Sequence, residues 1–212
     1  MAPRTILFDV DGVVIHGFHT RPELRRRWDT HLLEDLGIEP ARLGEVFFQG
    51  PFEREVLTGR LSLLQALSEV LPTVGFHGSP MCVVDYWLRR DSQLNLQLLD
   101  LIRDLRRTHA GPVYLATNQE HLRAFHLWSG LGLGALFDDI FYAARLGVLK
   151  PAAAFFEKIE QMIGPQSEPP LFFDDSQAVV DAACGFGWEG VLFETVEGCA
   201  AHPWIGEHLT RR

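Results

Sequence analysis

Cysteine is scarce: the 212-residue chain holds only Cys82, Cys184 and Cys199. They are odd in number, far apart and never in a Cys-x-x-Cys pair, which excludes a zinc knuckle or a disulfide framework and fits a reducing compartment. Long apolar runs are missing too. No stretch approaches the eighteen or so apolar residues of a membrane span. The first apolar segment is broken by Asp9 and is too short for a signal-peptide core. These absences predict a soluble protein of the cytoplasm with no membrane partner. Positive charge is also limited, with 19 Lys and Arg against 28 Asp and Glu and a net charge of −9. That balance argues against a nucleic-acid partner, while leaving room for a locally positive site that takes a small anion. Neither an internal repeat nor a low-complexity segment interrupts the chain.

What remains is an ordinary globular composition, 47% hydrophobic and 22% charged, on a chain long enough for one large domain or a domain with an insertion. Ile6-Leu7-Phe8 is an unbroken apolar run, as in a strand buried on both faces of a parallel sheet. Asp9 and Asp11 follow, two residues apart, a spacing that puts both carboxylates on one face of an extended chain. Gly12 then permits the backbone to turn. Acids at the carboxyl end of a central strand stand where open α/β sheets bind their ligands.

Proline and glycine punctuate the next seventy or so residues into helices predicted over 21–36, 40–48, 51–57, 61–71 and 80–90. Strand and helix then alternate, with strands over 112–116, 140–143, 171–173 and 190–193. Helices fall over 94–109, 120–131, 152–163 and 177–184. This order predicts an α/β fold, a doubly wound parallel sheet with right-handed crossovers, and an all-helical insertion after its first strand.

Three later strand ends answer Asp9 and Asp11. Thr117-Asn118 follows Val113–Ala116 with a hydroxyl and an amide suited to phosphate oxygens. Lys150-Pro151 precedes a helix and can aim an ammonium at an anion. Asp174-Asp175-Ser176 closes the apolar run Leu171–Phe173, with Ser176 placed to cap the next helix. Singly these read as helix caps or a solvated lysine, although a cap explains only one of two adjacent acids. Together they put up to four carboxylates and one lysine in a single cleft. Such a set raises its own pKa values unless a cation lies among the acids, and all-oxygen ligation suits Mg²⁺.

Asp9-Val10-Asp11-Gly12, Thr117-Asn118, Lys150-Pro151 and Asp174-Asp175-Ser176, in that order, resemble the four motifs of the haloacid dehalogenase-like hydrolase superfamily. The resemblance implies a Rossmann-like core of residues 1–17 and 93–212 and a helical cap of residues 18–92. The stretches Phe52-Glu53-Arg54, Thr58 to Ser62 and Thr117 to His121 are similar to those of small sugar-phosphate phosphatases. Val179 departs from the Asn that many relatives carry after the acidic pair. The implied activity is Mg²⁺-dependent hydrolysis of a small phosphorylated metabolite, a sugar phosphate first among candidates. Asp9 would be the nucleophile and Asp11 the general acid/base. Thr117, Asn118 and Lys150 would hold the phosphoryl group, and Asp9, Asp11 (by its backbone carbonyl), Asp174 and Asp175 the metal. Three rivals share these residues or this scaffold: a haloacid dehalogenase, a phosphomutase, and a non-enzymatic phospho-accepting module. The two crossings into the insertion, near 16–20 and 91–94, predict a cap that opens and closes.

Other signals are set aside. Gly130-Leu131-Gly132-Leu133-Gly134-Ala135 matches a dinucleotide fingerprint but follows a helix instead of a strand. His16 and His19 read as exposed loop residues, Arg25-Arg26-Arg27 as a solvated face of the first inserted helix, and Trp87 as core.

Overall fold

The architecture is taken from a computed structural model that describes residues 4–210. Seven strands occur among them: β1 (Ile6–Phe8), β2 (Ile15–His16), β3 (Gln93–Leu94), β4 (Val113–Thr117), β5 (Asp139–Tyr142), β6 (Leu171–Asp174) and β7 (Glu189–Leu192). Five of them form a parallel sheet in the order β5-β4-β1-β6-β7. The fold is therefore the α/β doubly wound sheet expected, with β1 at its centre. The chain builds one side of β1 with β4 and β5, then crosses to the other for β6 and β7. That reversal opens a crevice at the carboxyl end of β1.

The central strands are buried at every position, and their side chains alternate with period two between two core layers. Ile6, Phe8, Leu115, Ile140, Leu171 and Phe173 face one layer with the helix Leu96–Thr108. Leu7, Ala116, Phe141 and Phe172 face the other, against Phe155, Phe156 and Ile159 of the helix Ala153–Ile163. Side chains on a strand point alternately to its two faces, so a strand apolar at every position must be covered twice.

The segment between β2 and β3 has its own apolar cluster, in which Phe47, Val56, Leu67, Val84 and Trp87 are buried. β2 and β3 pair antiparallel, Ile15 with Leu94 and His16 with Gln93, tying the two crossings together. Asn95 reinforces the tie, donating from its backbone to Val14 O (2.8 Å) and from Nδ2 to Val13 O (3.0 Å).

The helix Pro80–Arg90 forms where predicted. The predicted helix over 21–36 does not. Only a short turn at Pro22–Leu24 and the helix Leu32–Leu36 are helical. Between them Arg25 Nε donates to His19 O (2.7 Å) and Arg26 N to Gly17 O (2.9 Å), contacts that bend the chain back on itself. The segments predicted as 40–48 and 51–57, with the break expected at Gly50 between them, are both helical, in the helix Pro40–Leu43 and the wide-turn stretch Gly44–Val56. The latter kinks at Gly50 (φ −109°, ψ −119°), because Pro51 disfavours helical backbone in the residue before it. Two helices absent from the sequence reading, Val196–Ala201 and Pro203–Thr210, seal the first layer through Cys199 and Ile205. Ser176 sits at a helix start but its side chain makes no capping bond. No described helix is long and apolar enough to cross a membrane.

Candidate active site

The crevice at β1 collects the four predicted segments. Asp9 is the first residue past β1, and its N–H donates to Phe173 O (2.9 Å), continuing the ladder with β6. Its carboxylate is buried. Lys150 Nζ lies 2.7 Å from Oδ1 of Asp9 and 2.7 Å from Oδ2 of Asp174, and donates to Ala116 O at 3.0 Å. One buried ammonium thus joins the ends of β1, β4 and β6. Asn118 fixes that lysine: its Oδ1 accepts from Lys150 N (2.9 Å) and its Nδ2 donates to Lys150 O (3.1 Å). The Asn118 amide therefore grips the lysine backbone instead of standing free as a phosphate ligand. Thr117 is buried at the end of β4 and does not cap the next helix; Glu120 does, accepting from Leu122 N at 2.8 Å.

Asp9, Asp174 and Asp175 each present a carboxylate oxygen within 4.8 Å of the others. Asp174 is held by Lys150 and, through Oδ1, by Ser176 N (2.9 Å). Asp175 Oδ2 accepts from Thr20 N (2.6 Å) and lies 3.0 Å from His19 Nδ1. Gly12 (φ +78°) is obligatory here, since a Cβ at that position would stand 2.6 Å from Oδ2 of Asp175. His19 is a correction to the sequence reading: it is buried, with 7% of its surface exposed, and contacts the acidic cluster.

Burial pushes the Asp9 carboxyl up to about 8; the Lys150 charge opposes this, and the Asp174 and Asp11 carboxylates add to it. Burial pulls Lys150 down, but Asp174 and Asp9 outweigh it and leave the ammonium above its ordinary range. Three carboxylates sharing one lysine are short of positive charge. The all-oxygen donor set fits a hard divalent cation.

Asp11 does not continue the extended chain. β1 ends at Phe8, and the backbone folds over so that Gly12 N donates to Ile15 O (2.9 Å). The Asp11 side chain, which lies outside the three-acid cluster, turns to the segment after β4. Its Oδ2 accepts from Gln119 Nε2, and its Oδ1 lies 2.9 Å from Arg123 Nη2. Arg123 is 1% exposed, and the same Nη2 is 3.1 Å from Asp91 Oδ2. The cleft therefore holds a second buried cation, against the single lysine expected. Burial lifts Asp91 to about 6, with Arg123 opposing and Asp11 reinforcing. Arg123 has a sequence signal in retrospect: it sits four residues before the buried Leu127, in a core-facing register of a helical stretch.

A sequence profile of haloacid dehalogenase-like hydrolases matches residues 3–187 of the chain. The chain belongs to the haloacid dehalogenase-like hydrolase family. Solved structures agree on the fold of this hydrolase. It superimposes on a HAD family enzyme from Bacteroides thetaiotaomicron, solved as a magnesium complex, with a TM-score of 0.72 at 19% identity over 100% of both chains. A predicted HAD-like family hydrolase from Porphyromonas gingivalis gives a TM-score of 0.72 at 23% identity, again over 100% of both. The L-2-haloacid dehalogenase of Xanthobacter autotrophicus aligns at a TM-score of 0.58 and 18% identity, covering 89% of this chain and 76% of that one. No curated protein matches the hydrolase in sequence.

Proposed function

We propose that this haloacid dehalogenase-like hydrolase is a Mg²⁺-dependent phosphatase of small phosphorylated metabolites, sugar phosphates foremost, working through an aspartyl-phosphate on Asp9. The observation that carries this reading is Lys150 Nζ, 2.7 Å from both Asp9 and Asp174, inside a buried three-carboxylate cluster. An oxygen-rich, cation-hungry pocket with one fixed ammonium suits a phosphoryl group bound together with a metal.

In the forward half-reaction a carboxylate oxygen of Asp9 attacks phosphorus, and the bond from phosphorus to the ester oxygen breaks. Asp11 delivers the proton that the leaving oxygen needs. In the second half Asp11 takes a proton from water as that water attacks phosphorus, freeing phosphate and restoring Asp9. Lys150, held in place by Asn118, and Thr117 neutralise and orient the phosphoryl oxygens. Asp9, Asp175 and the backbone carbonyl of Asp11, supported by Asp174, would hold Mg²⁺, which supplies charge neutralisation at the phosphoryl group. Phosphate-monoester hydrolysis can require up to ~10²¹-fold acceleration. A positioned acid/base contributes only ~10²–10⁴-fold. Fixed charge must supply most of the remainder. The helical insertion of residues 18–92 serves as a cap on the core of residues 1–17 and 93–212, and the β2–β3 tie is its joint.

The resemblance to a haloacid dehalogenase is a matter of fold. Attack at carbon needs neither a clamped Asp11 nor the acidic pair. A phosphate-release screen over small phosphomonoesters, run with Mg²⁺ and with EDTA and beside Asp9→Asn, tests the reading. Metal-dependent release abolished by Asp9→Asn is expected. Haloacid turnover in EDTA, or phosphate release that survives Asp9→Asn, would overturn it.

A further inference from the structure

Asp11 is held at both oxygens by one short segment, Gln119 on Oδ2 and Arg123 on Oδ1. Arg123 is among the largest fully buried side chains of the protein, yet its Nη1 has no hydrogen-bond partner. Its Nη2 does the work, reaching Asp11 at 2.9 Å and Asp91 at 3.1 Å. Asp91 is the residue at which the last helix of the insertion ends, and its Oδ2 accepts from Trp87 Nε1 (3.0 Å), a residue of the insertion's apolar cluster. The Arg123 guanidinium also lies 5.2 Å from the Trp87 ring centroid. A backbone Cβ at Gly17 would collide with Asp91 Oδ1, so the entry crossing is pressed against the same carboxylate. A continuous path of contacts therefore runs from the insertion's core, through Asp91 and Arg123, to the side chain that handles the proton.

We propose that Arg123 is a positioning residue for Asp11, oriented by Asp91, so that the seating of the helical insertion sets the aim of the general acid/base. Burying an arginine is costly unless its charge is paired, and here one nitrogen, Nη2, is shared between the two carboxylates, so that Asp91 fixes where the guanidinium meets Asp11. The proposal rests on the phosphatase reading and adds to it a link between cap and acid. As an acid Asp11 needs aim only when the leaving oxygen needs a proton; its later service as base to water is the same for every ester and falls after the step that kcat/KM reports. An alkyl phosphate, such as a sugar phosphate, leaves as a poor group, whereas p-nitrophenolate departs without one. The readout is therefore the dependence on leaving group.

In Arg123→Met, kcat/KM, which reports only the steps through formation of the aspartyl-phosphate, should fall on the order of 10²-fold for an alkyl phosphate and by less than about threefold for p-nitrophenyl phosphate. Arg123→Lys should recover part of the alkyl loss. Asp91→Asn, which keeps the shape of the group that orients Arg123, should show the same asymmetry to a smaller degree, and it serves as the test should Arg123→Met not fold. Equal losses of kcat/KM on both esters, or none on either, would overturn the positioning role while leaving the phosphatase reading intact. A wild-type protein inert towards every phosphomonoester would overturn both.

Discussion

Nδ1 of His19 lies 3.0 Å from Oδ2 of Asp175, so the entry crossing of the helical insertion touches the acidic end of β6 directly. Thr20 N donates to the same oxygen at 2.6 Å. The insertion thereby helps to orient a carboxylate of the candidate metal site.

From that contact follows the first prediction. Removing a partner that orients a metal-binding carboxylate typically costs about 10–100-fold in metal affinity. His19→Ala should raise the Mg²⁺ concentration needed for half-maximal phosphate release by about that factor, with the backbone donor Thr20 N left in place. A titration of activity against Mg²⁺ reads it; an unchanged midpoint would mean that His19 only packs.

The second concerns pH and stability. Asp9 has an ordinary value of 3.8 and stands at about 8 in the folded protein. Between those values the unfolded chain has released its proton while the native one retains it. The metal-free protein should therefore lose stability as pH rises from near 4 to near 8, with a slope of up to about 1.4 kcal/mol per pH unit from this group. Asp91, raised to about 6, acts in the same direction over a narrower window. Asp9→Asn should flatten the slope, and denaturant melts in EDTA across this range measure it. Equal slopes in the two proteins would show that Asp9 is ionised at neutral pH without metal.

A third tests how the insertion seats on the core. A Cβ at Gly59 would lie 2.7 Å from Ala144 O and 3.2 Å from His121 Nε2, at a φ of +73°. Gly75 has a φ of +80° but meets nothing within 4 Å. Gly75→Ala should lose only the backbone preference, roughly 1–2 kcal/mol. Gly59→Ala should lose more and should also depress turnover, since Ala144 N donates to the backbone oxygen of Gln119, whose side chain holds Asp11. Matching melts and kinetics of the two variants would refute a close contact at Gly59.

Much of this protein was written locally. The doubly apolar run Ile6-Leu7-Phe8 demands cover on both faces, and alternation of strands with helices makes the sheet parallel. Asp9, Lys150, Asp174 and Asp175 each follow or flank such an element, so their arrival at one crevice follows from the strand order. Helix limits were less legible around residues 21–36, where backbone contacts from His19 and Gly17 override helical preference. What the tertiary structure alone decided is which side chains meet: Arg123 with Asp11 across 112 positions, His19 with Asp175, and Asn118 with the backbone of Lys150. Periodicity reports which face of an element is buried, because that depends on neighbours along the chain. Which charge lies across the crevice depends on crossovers that bring distant segments together, and no pattern along the chain encodes that distance.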